Sequence, residues 1–262
     1  MSIKVAGLAL LVAAFGLNTT GTFARTITVT LSGNDVSYPQ CGKSLPTNQA
    51  FGIFGVNDGL ANTTNPCLAT EITWAQSSTG TTSQPKAALY VNTANPGNLG
   101  VADWPMSNVD PVTGLIDADP YGACTGGDTA ACAWQYGWNM ADLDAQERGV
   151  TGPAAYRWWL DVETGNSWES NTVNNRADLE GMVAYFQGLG ATVGVYSTSY
   201  EWSKIAGTVT STSSLYSLAD WIPGARSLSG AKTNCGLRPL TGGGLVTVTQ
   251  WTAAIDGDYA CR

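Results

Sequence analysis

Histidine is absent from the 262 residues. That removes Ser-His-Asp and Cys-His catalysis, which need an imidazole base. It also argues against zinc, because no Cys-x-x-Cys pair stands in for the missing imidazoles. Charge is scarce too: 12% of residues are charged, with 12 Lys and Arg against 20 Asp and Glu, for a net charge of −8. A nucleic acid partner needs a basic face to neutralise phosphates, and this composition does not supply one. After Val5 to Leu17 no long apolar run occurs, and that run is too short to span a bilayer. No internal repeat is visible. Gly242-Gly243-Gly244 has no Lys-Ser/Thr after it, so it is a flexible turn and not a phosphate loop.

What is present points to export. Met-Ser-Ile-Lys gives a short positive start, Val5 to Leu17 has signal-peptide length, and Thr22-Phe23-Ala24 offers small residues at a cleavage site. Residues 1–24 are therefore read as a signal peptide. The mature chain would begin at Arg25, be secreted, and have no membrane association after cleavage. It suits one domain and reads as a monomer. With 44% apolar residues and ten tryptophans it has the means to build a core, unlike a disordered chain. The even count of six cysteines reads as disulfides in an exported protein. Sequence does not choose among the possible pairings; chain order suggests neighbours, Cys41–Cys67, Cys124–Cys132 and Cys235–Cys261.

Residues 25–50 open with the alternating Thr26-Ile27-Thr28-Val29-Thr30-Leu31, an edge strand, and continue as a loop-like extension. From Phe51 short apolar runs recur: Phe51–Val56, Ala87–Val91, Ala133–Gly137, Tyr156–Val162, Thr192–Tyr196, Leu218–Ile222 and Leu245–Trp251. Between them fall helical stretches at Pro66–Gln76, Met140–Arg148 and Arg176–Leu189. In the last, Leu179, Met182, Val183, Phe186 and Leu189 keep helical spacing, and Asn174 or Asn175 can cap the start. Strands alternating with helices imply a mostly parallel sheet. Seven or eight such strands fit an α/β fold, a single TIM-like (β/α) barrel over 51–262 with irregular last strands. A doubly wound open sheet is the alternative, but no Gly-rich nucleotide turn follows the first strand. Gly97–Gly127 and Thr210–Leu240 read as long loops on the rim of a cleft.

The segment from Arg157 to Glu163 carries the chemistry. With a strand period of two, Trp158, Leu160 and Val162 face one way, towards covering helices. Arg157, Trp159, Asp161 and Glu163 then face the barrel axis. Barrel interiors are filled with apolar side chains, so two carboxylates there are costly unless solvated or paired. One reading makes them structural, with Arg157 neutralising an acid. The other makes them catalytic, at the carboxyl end of a strand where such barrels hold their sites. Acids at i and i+2 have Cα atoms roughly 6.5–7 Å apart. Their mutual repulsion, with tryptophan nearby, raises one pKa. One acid then stays protonated while the other is ionised, the division of labour glycoside hydrolysis needs. Glu163, nearer the mouth, is the proton donor, and Asp161 stabilises positive charge on the sugar ring or orients the attacking group.

Asp161-Val162-Glu163, together with Thr249-Gln250-Trp251-Thr252 and Ile255-Asp256-Gly257-Asp258-Tyr259, resembles the glycoside hydrolase family 25 lysozymes. It equally resembles the related glycoside-hydrolase-like barrel proteins of unassigned function. The resemblance runs in order from about Phe51 to Tyr259. It implies hydrolysis of a bacterial cell-wall polysaccharide, peptidoglycan first and another wall glycan next, without a cofactor. Those lysozymes start their barrel with an aspartate in a Gly-Ile-Asp-like strand. Here Gly55-Val56-Asn57-Asp58 offers Asn57 on the face of Gly55, or Asp58 if the strand turns. Tyr90-Val91-Asn92-Thr93 departs further, with no acid where those lysozymes carry one.

Sugar contacts are expected from Asn57, Asp58, Asn92, Tyr196, Gln250 and Asp256. Trp138, Trp159, Trp221 and Trp251 lie beside strand ends, where ring faces can stack on sugars, although any single tryptophan is more often core. Asp256 and Asp258 fall short of the roughly six to eight oxygens calcium takes, so no metal is expected. A secreted carbohydrate-binding protein that keeps its acids for sugar hydroxyls is the competing reading.

Overall fold

The computed structural model describes residues 31–99 and 102–261. The signal peptide reading and the strand expected at Thr26–Leu31, apart from Leu31 itself, lie outside them. Eight strands close into a barrel in chain order: β1 Ser32–Val36, β2 Gly52–Gly55, β3 Ala87–Asn92, β4 Arg157–Asp161, β5 Thr192–Tyr196, β6 Ala219–Ala225, β7 Val246–Trp251 and β8 Gly257–Ala260. Strands β1 to β7 pair in parallel, and β8 runs antiparallel to both β7 and β1. The reversal follows from length. A parallel crossover needs a dozen or more residues, and the few residues between Trp251 and Gly257 allow only a hairpin. Register shifts between β6 and β7 complete the irregular last strands expected from the sequence.

Four expectations about this frame are corrected. The barrel begins at Ser32, inside the segment read as an extension, so its domain is not confined to 51–262. The run Ala133–Gly137 is not a strand; it belongs to helix α2, Ala130–Gln146. The apolar run is buried on all sides, so its periodicity does not distinguish a core helix from a core strand. Thr129 fixes the helix start, its side chain accepting from the Cys132 amide. The other helices are α1 Leu68–Gln76, α3 Thr172–Gly188, α4 Ser199–Ile205 and α5 Leu228–Asn234. Helix α3 starts earlier than expected, because Asn171 is the residue that accepts from a first-turn amide, that of Val173. Asn174 and Asn175 lie inside the helix and are buried. The segment 210–240 is not one loop, since it holds β6 and α5.

Side-chain alternation sorts the core into two layers. Outward-facing Leu89, Val91, Trp158, Leu160, Val162 and Val195 pack under Leu179, Met182, Phe186 and Ile205 of the helices; Trp158 stacks on Phe186 at 4.2 Å. The barrel interior is filled by Phe51, Ile53, Ala88, Trp159, Trp221 and Val248. Gly194 makes room for the Trp159 ring, because a Cβ there would lie 2.3 Å from it. The three cysteine pairs are those that chain order suggested.

Helices α2 and α3 meet at two glycines. A Cβ on Gly181 would lie 2.0 Å from the Trp134 carbonyl oxygen, and one on Gly137 would lie 1.9 Å from that of Asp178. Backbone cannot rotate away as a side chain can, so the helices would have to separate. Gly181→Ala should therefore cost about 1–3 kcal/mol, as overpacking does, despite the better helix propensity of alanine. The urea midpoint checks this, and an unchanged or higher midpoint would refute the close crossing.

Candidate active site

The carboxyl ends of the parallel strands form one mouth, and the register aligns the site there. Asn92, Asp161 and Tyr196 are neighbours across β3, β4 and β5, and Tyr196 sits beside Trp221 of β6. A cavity of about 150 Å³ opens at this point. It is lined by Asp35, Tyr90, Asp161, Glu163, Tyr196, Trp221, Gln250 and Asp256. A larger hollow of about 670 Å³ lies over α3. Its carboxylate, Glu180, is already engaged by the hydroxyls of Tyr121 and Ser213, so it offers no free acid pair.

Of the residues expected from the sequence, Asp161, Glu163, Tyr196, Trp221, Gln250 and Asp256 line the cavity, and Asn92 touches it through Asp161. Asn92 Nδ2 donates to Asp161 Oδ2 at 2.9 Å. The Tyr196 hydroxyl donates to Gln250 Oε1 at 3.0 Å, and Gln250 Nε2 donates to Asp35 Oδ2 at 2.9 Å. Trp221 closes the floor, and its indole nitrogen donates to Asp258 Oδ1 at 2.9 Å.

Five expectations fail on position. Asn57 is 1% exposed and hydrogen-bonds behind the cleft, to Ala61, Thr63 and Asp144. Asp58 is exposed in the turn that follows. Trp138 sits on α2, stacked on Trp134 and donating to Asp110. Trp159 is wholly buried in the barrel interior below the cavity. Trp251 lies on the opposite face of β7 from Gln250, against Gly257. Trp138 fails because its segment is a helix and has no strand end. Trp251 fails because alternation from Gln250 turns it outward.

The ion-pair reading of the acids fails as well. Arg157 lies at the other end of β4, where it donates to Gln84 Oε1 at 2.9 Å and stands over the Trp159 ring. Among the described residues the ion pair found is Arg148–Asp144. No cation lines the cavity.

Sequence reasoning missed Asp35, Tyr90, Asp258 and Glu201. Gly33-Asn34-Asp35 has the Gly-x-Asp spacing expected at Gly55–Asp58, so a strand placed at 32–36 would have found Asp35. Asp35 is pushed up to about 6, chiefly by burial and further by the nearby Asp256 charge. Asp258 is driven well above the usual carboxylate range by burial and by Asp35. Its Oδ2 is buried without a hydrogen-bond partner, and its Oδ1 accepts from the Trp221 indole.

Asp161 is likewise raised well above the ordinary range, by burial first and then by Glu163 and Glu201; the Asn92 hydrogen bond opposes this. Glu163 is half-buried and is raised by burial and by Glu201. Glu201 itself is held low by the Thr164 and Thr198 groups that donate to it. The pair Asp161 and Glu163 therefore retains a proton at a pH where free carboxyls have lost theirs, and that titration belongs to both. Such a mouth can deliver a proton and stabilise a developing cation, and it repels anionic ligands.

A family model described as lysozyme-like protein 1 matches residues 150–224, the stretch that carries β4, β5 and all but the last residue of β6. Lysozyme-like protein 5 of Caenorhabditis elegans is 33% identical over 145 residues, covering 55% of this chain and 62% of that protein. The chain thus spans less than two thirds of that relative. Among solved structures, a muramidase from Trichobolus zukalii superposes with a TM-score of 0.52 at 16% identity, over 88% of this chain and 93% of that one. A bacterial lysozyme from Streptomyces coelicolor gives 0.52 at 14% identity, over 89% and 93%. The Clostridium perfringens spore cortex lytic enzyme SleM gives 0.53 at 12% identity, over 89% and 68%. The likeness to lysozyme-like proteins thus holds in sequence through the central strands, and in fold through most of the chain.

Proposed function

We propose that this chain is a secreted glycoside hydrolase that cleaves a bacterial cell-wall polysaccharide, peptidoglycan first. The observation that carries the reading is the convergence of Asp35, Asp161 and Glu163 on one cavity at the barrel mouth. Glycoside hydrolysis needs a proton donor for the leaving oxygen and a carboxylate beside the ring carbon. Glu163 stands nearer the mouth and acts as the donor. Asp161, with Oδ2 held by Asn92 and Oδ1 unpartnered, faces the developing positive charge. That charge favours the Asp161 anion as the glycosidic bond breaks, which leaves the shared proton on Glu163 for delivery. Asp35, fixed by Gln250, adds a second negative group.

Removal of residues 1–24 and passage to an oxidising compartment accord with the disulfides, which persist there. Among the described residues no helix is long and apolar enough to cross a membrane. The groups of the cleft all come from one chain, so a monomer suffices. Release of reducing ends from purified peptidoglycan, beside a panel of other wall glycans, tests the proposal. Release from peptidoglycan is the expected result. Binding to the glycans with no release from any of them would replace the hydrolase with a carbohydrate-binding protein.

A further inference from the structure

Asn57, expected to touch sugar, is sealed off from the cavity. Its hydrogen bonds give it a different task. Asn57 Nδ2 donates to the carbonyls of Ala61 at 3.1 Å and Thr63 at 3.0 Å and to Asp144 Oδ1 at 2.9 Å. Its Oδ1 accepts the Asn92 amide at 2.8 Å. Three acceptors around one nitrogen and one donor at the oxygen permit a single amide orientation. Asn92 continues the chain, its Nδ2 donating to Asp161 Oδ2 at 2.9 Å. At the far end Arg148 holds Asp144, and it also donates to Thr64 Oγ1 at 3.0 Å and the Ala61 carbonyl at 3.3 Å.

We infer that Asn57, anchored by the Asp144–Arg148 pair at the end of α2, is a positioning residue that holds Asn92 against Asp161. The inference rests on the catalytic reading of Asp161. Burial alone disfavours a negative Asp161, and the acids facing it add to this: Asp35 from β1, Glu163 beyond β4 and Glu201 from α4. Tyr90 and Tyr196 also face it from β3 and β5, and burial raises both phenols further above their ordinary range, so they stay neutral. Among these neighbours no cation offsets them, so the Asn92 amide is the group that favours the anion. A two-residue relay through a buried asparagine keeps that donor in place on Oδ2, while Asp161 Oδ1 is buried without a partner.

The relay does not touch the cavity, so its loss should lower kcat and leave KM unchanged. It should also move the acid limb of the pH–rate profile upward by about one pH unit, the scale of a hydrogen bond to a charged group. Asn57→Leu removes the acceptor for the Asn92 amide and the donor to Asp144. The double variant Asp144→Leu with Arg148→Met removes both charges together, which avoids a buried unpaired ion. It leaves Asn57 its bonds to Ala61 and Thr63, so its effect on the limb should be smaller. Should Asn57→Leu not fold, the double variant reads the same limb.

Both variants are measured on peptidoglycan beside wild type and Asp161→Asn. An inactive Asp161→Asn with an upward-shifted limb and unchanged KM in the folded variants supports the relay. An inactive Asp161→Asn with a wild-type limb and kcat in the folded variants overturns the relay alone. An active Asp161→Asn overturns the catalytic reading and the relay with it.

Discussion

Glu163→Gln should lower turnover by roughly 10²–10⁴-fold, the usual contribution of general acid catalysis, while folding and sugar binding survive. Glutamine keeps the shape and hydrogen-bonding capacity of the side chain but cannot deliver a proton. Asp161→Asn should cripple turnover too, by a different route, since it removes charge stabilisation. An activated aryl glycoside, whose leaving group needs no proton, should therefore rescue Glu163→Gln more than Asp161→Asn. Arg157→Met is the control. Arg157 donates to Gln84 at the opposite end of β4, so its loss should leave turnover unchanged. Full activity of Glu163→Gln on a substrate the wild type cleaves would end the assignment.

Stability should fall as pH rises from 4 to 8, because buried carboxyls dominate this protein. Burial is the leading cause raising Asp35 and Asp144 to about 6, and Glu71 and Asp220 to about 7. The same cause raises Asp161, Asp178 and Asp258. In the unfolded chain these groups lose their protons near pH 4. Between that value and 7 the folded state binds more protons than the unfolded state, so stability decreases with pH. It is fully present below the unfolded values and is lost through the folded ones. A carboxyl that titrates one pH unit higher in the folded chain than in the unfolded one contributes about 1.4 kcal/mol. A total of about 3 kcal/mol or more corresponds to a Tm lower by roughly 6–12 °C at pH 8.

Glu71 supplies the internal check. Its Oε2 accepts from Asn65 Nδ2 at 2.7 Å, and its Oε1 has no partner. Glu71→Gln should raise Tm at pH 8 more than at pH 4. Calorimetry across this range decides the matter, and a Tm that climbs from pH 4 to pH 8 would contradict the sign.

The sequence by itself determined the barrel rhythm, the acid pair and its strand, the cysteine partners in chain order and the exclusion of imidazole chemistry. These are local properties. A two-residue period orients Asp161 and Glu163 against Trp158, Leu160 and Val162, whatever packs around them. The tertiary structure decided which remote groups meet those acids. Asp35 joins Asp161 only because β8 runs antiparallel and closes the barrel onto β1, a pairing between residues more than two hundred positions apart. Asn57 has a sequence setting that suits a sugar contact, and the turn after β2 together with Asp144 of α2 covers it instead. Trp138 and Trp159 are aromatic residues like Trp221, and only packing separates a core ring from the floor of the cleft. Periodicity tells which way a side chain points along its own element, while contact between elements depends on closure and burial that no short segment contains.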